Sequence, residues 1–347
     1  MIFVYVALFL FALVGAKFSF KSYNTKEYLS MDSTNAVRGV FMALIFLSHF
    51  MQYYSYTSEF DKLGGNISRT LGQMIVVMFM FYSGYGIGES VKRKGTGYIK
   101  SFPKNRVLKT LLHFDVAILI YFILSLILKL DYPPAQVGLA FIGWTSIGNS
   151  NWYIFAVIIL YIITWIAFSV FRKNKVAAAA GVTLLTVVYI VVMSFFKEYW
   201  WYDTVLCYAA GIWYSLFKEK LESLLTRYNL IWLVITVASA VGWWFSHMHR
   251  VIVPMRILEA ILFTLMVIAL SLKVSIRNKP LIWLGKHTFE IYILMRMPMK
   301  LFALWGLNDI NVYLYLAASF VATLAICFLF SYLLKGIDKL LFRSKKA

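Results

Sequence analysis

Two ionisable residues within one apolar stretch have the types and spacing to do chemistry. Arg38 and His49 lie in NAVRGVFMALIFLSHF, residues 35–50, and are eleven positions apart. In an α-helix this spacing is three turns plus about 20°, so both side chains share one face, about 16 Å apart along the axis. Arginine suits phosphate binding, and neutral histidine suits proton or acyl transfer. A structural histidine, hydrogen-bonded to a neighbouring helix, is the alternative.

The helix that carries this pair belongs to a membrane protein. The chain has 347 residues and is 61% hydrophobic, 14% charged, with a mean hydropathy of +0.75, which is not the balance of a soluble domain. Eleven apolar stretches are long enough to cross a hydrocarbon core of about 30 Å. They cover residues 2–20, 36–55, 71–88, 107–128, 152–171, 176–196, 201–217, 229–246, 252–272, 281–300 and 312–334. We therefore predict an all-α integral membrane fold with about eleven transmembrane helices.

The depth of the pair in the membrane follows from this assignment. If Arg38 marks the cytoplasmic interface, His49 is predicted near the middle of the bilayer. An ionisable side chain at that depth is costly, and it usually serves a function.

The formal net charge of +19 is a consequence of topology. When alternate loops are assigned to two sides, 26 of the 34 lysines and arginines fall on one side, five of them in the C-terminal tail. By the positive-inside rule that side is cytoplasmic, which predicts an external N-terminus and a cytoplasmic C-terminus. The basic loops are expected to contact anionic lipids, and nucleic-acid binding is not expected.

Two segments outside the central spans are interpreted from their composition. The first apolar stretch lacks the charged n-region of a signal peptide, which favours a retained helix over a cleaved leader. Residues 1–30 are therefore predicted as an extra transmembrane helix with a cytoplasmic loop, and residues 31–347 as one membrane domain. The external segment at 129–151, KLDYPPAQVGLAFIGWTSIGNSN, mixes turn residues with tryptophan and predicts a structured re-entrant or lid segment.

Several motifs together resemble acyltransferase family three, the bacterial integral membrane enzymes that O-acylate surface polysaccharides and peptidoglycan. The pattern of arginine, ten residues and histidine comes first. Four further stretches are similar to family motifs in the same order: FMFYSGYGIG, FPKNRVLKTL, NWYIFAVIILYI and LIWLGKHTFEIYIL. The resemblance covers residues 32–335 and leaves the span at 2–20 as an addition to a ten-helix core. Asn35 and Met295 stand where many members carry Asp and His, and Glu290 stands where the family usually has a small residue.

The resemblance implies the substrates and the location. The donor would be cytosolic acyl-CoA, acetyl-CoA in the first place, and the protein would lie in the inner membrane of a bacterial cell. The acceptor would be a hydroxyl of a surface polysaccharide, of peptidoglycan or of a lipid-linked glycan, at or beyond the outer face. No metal is expected, because His247 and His249 stand two positions apart and cannot share a helix face.

Four cationic residues are predicted to bind the donor: Arg38, Arg106, Lys109 and His113. The last three stand at i, i+3 and i+7, which predicts a shared helix face. The phosphates of a CoA nucleotide need several cations, and Arg binds them in a bidentate manner. For Arg106 and Lys109, anchoring at the cytoplasmic interface is the alternative. The pantetheine arm would extend from these cations toward His49.

His49 is predicted to act as the general base on the acceptor hydroxyl, with transient acylation of the ring as the alternative. A base needs an orienting partner, and Glu290 and Glu259 are the acids available in the apolar spans. Glu259 follows Arg256 by three residues, so an ion pair on the helix surface explains it equally well.

Three further residues are predicted to line the substrate site: Ser83, Tyr292 and Trp152. Ordinary helix packing is the alternative for the first two. Aromatic residues of the external segments would suit stacking on sugar rings, but they also match the aromatic belt found at membrane interfaces.

The main rival hypothesis is a transporter or flippase that moves a small anionic or lipid-linked solute without chemistry. Such folds often have internal pseudo-symmetry, and none is visible in this sequence. A membrane sensor or uptake module is a third hypothesis, although no attached domain supports it. Consumption of acetyl-CoA would distinguish the acyltransferase hypothesis from both rivals.

Overall fold

The described part of the chain is almost entirely α-helical. A computed structural model describes residues 1–54 and 59–342, so Arg343, Lys345 and Lys346 of the predicted cytoplasmic tail lie outside the described residues. The first eight helices are α1 Ile2–Leu13, α2 Met31–Phe50, α3 Glu59–Leu71, α4 Met74–Lys100, α5 Lys109–Ile127, α6 Pro134–Phe141, α7 Trp152–Val170 and α8 Lys175–Phe196. The next eight are α9 Leu206–Thr226, α10 Asn229–Met248, α11 Val253–Ser271, α12 Lys279–Lys286, α13 Thr288–Leu294, α14 Arg296–Leu304, α15 Leu307–Ile310 and α16 Val312–Leu341. Two short antiparallel strands, β1 Lys17–Phe18 and β2 Val274–Ser275, pair between distant loops.

Eight helical segments of the described residues are long and apolar enough to cross a membrane. These eight match eight of the predicted stretches, which confirms the all-α membrane class but not the count of eleven. The other three stretches differ for separate reasons. Helix α1 has 12 residues and spans about 18 Å, less than a hydrocarbon core. Helix α9 is charged in its second half, and the stretch at 281–300 is broken into α12, α13 and α14.

The bounds of α2 correct the predicted positions of its two functional candidates along the helix. The helix begins at Met31 because Ser30 caps it, with the Ser30 Oγ accepting the Ser33 amide at 3.2 Å. Arg38 therefore lies seven residues inside the helix, and His49 is the last residue but one. The prediction of Arg38 at the helix mouth and His49 midway along it is wrong, since the helix starts earlier than its apolar run.

The two ends of the bundle are marked by the contacts of the N-terminal segment. The Met1 ammonium lies 2.7 Å from the buried Asp61 carboxylate on α3, which follows α2 along the chain. At the other end of α1, the Asn278 side chain donates to the Phe11 carbonyl at 2.9 Å, and β1 pairs with β2. The N-terminus thus lies at the end of the bundle where α2 finishes, called the His49 end below.

Glycines bring two pairs of helices into backbone contact. A Cβ added to Gly39 would lie 1.9 Å from the Leu281 carbonyl oxygen, and one on Gly285 would lie 1.8 Å from the Asn35 carbonyl oxygen. Helices α4 and α9 meet in the same way at Gly84. Small residues that allow such close approach drive helix association in membranes. The α2–α12 contact holds the broken helices α12 to α14 against the helix that carries Arg38 and His49.

Replacing Gly39 by alanine is expected to lower the free energy of unfolding by about 1–3 kcal/mol, because the new methyl group would overlap the backbone of α12. Thermal unfolding of the purified protein in detergent measures the loss. Gly86→Ala is the matched control, since a Cβ on this exposed glycine of α4 has nothing within 4 Å. Identical melting temperatures for both variants would contradict the close α2–α12 contact.

The segment before α7 is ordered by its own hydrogen bonds, which confirms the prediction of a structured segment. The Gln136 side chain donates to the Ser146 carbonyl at 2.7 Å, and the Thr145 hydroxyl donates to the Gln136 carbonyl at 2.6 Å. The Asn151 amide then donates to the Gly143 carbonyl at 2.9 Å. These bonds fix the backbone that leads into α7.

Candidate functional site

His49 is bonded to an arginine and not to a carboxylate. Arg296, the first residue of α14, brings its Nη2 to 2.8 Å from His49 Nδ1. The same nitrogen donates to Gln52 Oε1 at 2.7 Å, while Arg296 Nε donates to Ser150 Oγ at 3.2 Å. A guanidinium has only donors, so His49 Nδ1 must accept this hydrogen bond. In this arrangement the neutral imidazole carries its proton on Nε2.

Aromatic rings continue from His49 into the bundle. The rings of Tyr292 and His49 are in a T-shaped arrangement with centroids 6.2 Å apart, and the ring of Tyr153 lies 5.6 Å from that of Tyr292. Tyr292 Oη is buried and has no hydrogen bond of ordinary geometry among the described residues. Tyr153 lies near the start of α7, and its hydroxyl is close enough to Arg38 for electrostatic interaction.

Arg38 and Arg106 are both within electrostatic range of a second tyrosine. Both guanidinium groups interact electrostatically with the hydroxyl of Tyr161, which also lies 3.3 Å from Ser83 Oγ. Arg106 Nε donates to the hydroxyl of Tyr98 at 3.2 Å. Six residues, called the polar row below, form this set: Arg106, Tyr161, Arg38, Tyr153, Tyr292 and His49.

One nitrogen of the polar row lacks a protein partner. Arg38 Nε is buried and has no hydrogen bond within the described part of the chain. Buried donors in proteins are nearly always satisfied, and no ion pair to Arg38 or Arg106 is formed by the described carboxylates. The two guanidinium groups are therefore available to bind an anionic group such as a phosphate.

Two of the four predicted donor-binding cations are engaged elsewhere. Lys109 Nζ lies 2.7 Å from Asp338 on α16, and His113 Nε2 lies 2.8 Å from the same carboxylate. The predicted face shared with Arg106 is wrong because residues Pro103–Leu108 form a π-helical turn before α5. Its wider turn breaks the i, i+3, i+7 register. Arg106 is thereby directed to the polar row and the other two toward α16.

Neither predicted acid contacts His49. Glu259 Oε1 lies 2.8 Å from His247 Nδ1 on the neighbouring helix α10. Glu290 Oε1 accepts from the Ser331 hydroxyl at 3.2 Å and lies 3.8 Å from His287 Nδ1. The prediction that one of these acids orients His49 is therefore wrong, since α13 turns Glu290 toward α16 and α11 turns Glu259 toward α10.

The predicted lining residues lie on or beside the polar row. Ser83 contacts Tyr161, and Tyr292 belongs to the row itself. The indole of Trp152 packs edge-on against Tyr153, with ring centroids 5.8 Å apart. Trp152 therefore packs against one member of the row from the neighbouring position on α7.

Sequence reasoning missed Arg296, Tyr153 and Tyr161. Arg296 is a cation inside the apolar stretch at 281–300, so the criterion that singled out His49 could have found it. No comparable signal marks the two tyrosines among the 23 in the chain. Within the described residues, no group of three or more His, Cys, Asp or Glu side chains could hold a metal ion.

Comparison with known proteins adds one finding. A family model described as an acyltransferase domain matches residues 31–332, a range that includes the whole polar row and Arg296 and begins at the first residue of α2. No curated protein and no solved structure matches the chain significantly.

Proposed function

The chain belongs to acyltransferase family three and is a membrane acyltransferase, and from this premise we propose that it transfers an acyl group from cytosolic acyl-CoA to a glycan hydroxyl. Acetyl-CoA is the proposed donor. A surface polysaccharide, peptidoglycan or a lipid-linked precursor is the proposed acceptor, and the bacterial inner membrane is the proposed location. The observation that carries the proposal is the polar row, which extends from His49 to two arginines that form no ion pair with a carboxylate among the described residues.

The proposed orientation puts the donor and the acceptor at opposite ends of the row. With the eleven predicted spans, the distribution of lysine and arginine favours an external N-terminus, and Met1 lies at the His49 end of the bundle. The His49 end would then face outward, with the basic loops of the other end against anionic lipids and the cytosol. Labelling of single cysteines placed near each terminus tests this: access from the same side at both termini would refute the orientation.

The nucleotide of the donor is assigned to Arg38 and Arg106. Both arginines lack a carboxylate partner among the described residues, and Arg38 Nε is buried and free of hydrogen bonds there. Fork-shaped guanidinium groups suit phosphate oxygens. Because Lys109 and His113 share Asp338, we do not assign them to the phosphates. A pantetheine arm held by the two arginines could then follow the tyrosines toward His49.

His49 is proposed as the general base. The acceptor hydroxyl would attack the thioester carbonyl carbon while its proton passes to His49, the C–S bond would break, and the CoA thiolate would then take that proton. In the structure the Nδ1 lone pair faces Arg296, so Arg296 must withdraw before Nδ1 can accept a proton. Gln52 and Ser150, which bind the same guanidinium in the structure, would keep it near the site.

The experiment is a direct assay for consumption of acetyl-CoA. Purified full-length protein in lipid nanodiscs should release free CoA thiol when a glycan acceptor is added, and surface glycan from cells that carry the gene should gain O-acyl mass. A transporter or flippase, for which a polar row would also serve as a pathway, leaves acetyl-CoA intact. Intact acetyl-CoA together with unchanged glycan mass would refute the acyl-transfer proposal.

A further inference from the structure

A cavity of about 400 Å³ lies at the His49 end of the bundle, outside the polar row. Its wall includes Gln52, whose side-chain oxygen also accepts from Arg296, the partner of His49. The cavity is therefore connected to the proposed site of acyl transfer through Gln52 and Arg296. The other polar walls come from α3, α11 and the segments that precede α9 and α11.

Three arginines converge on this cavity: Arg69, Arg250 and Arg256. Membrane topology does not explain their presence, because only 8 of the 34 lysines and arginines belong to the predicted external side. Within the described residues none of the three forms an ion pair with a carboxylate. Arg256 stacks on the ring of Tyr199 at 3.7 Å, which leaves the edge of its guanidinium available.

The two acids in the wall do not cancel this positive charge. Glu259 is already bonded to His247 at 2.8 Å. Asp203 is only 3% exposed, and its Oδ1 has no hydrogen-bond partner in the described part of the chain. Burial raises the pKa of the Asp203 carboxyl well above its ordinary value, and Glu259 raises it further, against the opposing effect of Arg256. A protonated Asp203 is a neutral group that can both donate and accept hydrogen bonds.

We infer that this cavity binds an acidic group, carboxylate or phosphate, carried by a sugar of the acceptor. The arginines would hold the acidic group through charge-assisted hydrogen bonds. Asp203 and Gln52 would take the hydroxyls of the sugar, which would give the buried Asp203 Oδ1 its missing partner. The identity of this sugar as part of the acceptor rests on the proposed function. The bond from Arg296 to Gln52 would place the bound sugar next to His49.

Binding of simple sugar acids tests the inference. Saturation-transfer difference NMR on the full-length protein, in nanodiscs of neutral phosphatidylcholine, compares glucuronic acid and glucose 1-phosphate with neutral glucose. We expect at least one acidic sugar to bind about tenfold tighter than glucose, because charge-assisted hydrogen bonds to arginine are stronger than those between neutral groups. Arg250→Gln should remove most of this preference, and Arg250→Lys should keep part of it.

A matched control removes a cation of the same end that does not line the cavity. Lys62 is exposed on α3 beside Glu59, so Lys62→Gln should leave the preference for acidic sugars unchanged. Equal affinity of glucose and both sugar acids would overturn the inference. Abolition of sugar-acid binding by phosphatidylglycerol added to the nanodiscs would also overturn it, because the cavity would then hold a lipid headgroup.

The assay for consumption of acetyl-CoA distinguishes failure of this inference from failure of the proposed function. Preference for the acidic sugars without any consumption of acetyl-CoA would refute acyl transfer and leave the anion site in place. Consumption of acetyl-CoA with no preference for acidic sugars would refute the anion site alone.

Discussion

Replacing His49 by glutamine is expected to reduce acyl transfer by on the order of 10²-fold or more, while the protein still inserts and folds. The glutamine side-chain oxygen can accept from Arg296 as the imidazole Nδ1 does now at 2.8 Å. The substitution therefore preserves the contact with α14 and removes only the capacity to take a proton at neutral pH. O-acylation of glycan, measured at matched membrane expression, gives the result.

His249→Gln is the matched control for this substitution. His249 is exposed, and among the described residues its Nδ1 pairs with the Phe245 carbonyl one turn earlier, so its loss should leave transfer unchanged. Full activity of His49→Gln would return that histidine to a structural role. Acyl transfer by this protein would then need a general base other than His49.

Arg38→Ala is expected to raise KM for acetyl-CoA by about 10- to 100-fold with a smaller change in kcat. Affinity for acetyl-CoA should fall because the substitution removes a guanidinium that is proposed to bind a donor phosphate. The buried Nε of this guanidinium has no protein partner in the described residues. Initial rates at varied acetyl-CoA and at a fixed acceptor concentration measure the change.

Acetyl-pantetheine provides an internal control for the same variant, because it carries the thioester without the nucleotide. The wild-type protein should prefer acetyl-CoA strongly, and Arg38→Ala should lose most of that preference without losing turnover of acetyl-pantetheine. A fall in kcat for both donors at unchanged KM would contradict phosphate binding and assign Arg38 to the chemical step.

Several properties of this protein are determined by sequence alone. The apolar stretches predicted an all-α membrane protein, and eight of them are confirmed as helices able to cross a membrane. The family was predicted from five motifs in order and is confirmed over residues 31–332. Helix length and the order of motifs are properties of a linear chain, so neither depends on how the helices meet.

Local backbone geometry already limits what spacing can predict. The spacing of Arg106, Lys109 and His113 predicted one face, but the π-helical turn at Pro103–Leu108 rotates Arg106 away from the other two. Likewise α2 begins at Met31, several residues before its apolar run, so the predicted stretch gave the wrong positions of Arg38 and His49 along the helix. Periodicity assumes a regular helix with known ends, and a sequence specifies neither reliably.

The partner of His49 was decided only by tertiary structure. Arg296 is 247 positions away along the chain, and it reaches the imidazole because α12 packs on α2 at Gly39 and Gly285. The same packing turns Glu290 toward Ser331, so an acid that looked available does not orient the ring. Contacts between side chains of different helices depend on how each helix is rotated. They also depend on close backbone contacts such as those at Gly39 and Gly285. These are set by the packing of the whole bundle and not by the spacing of residues within one helix.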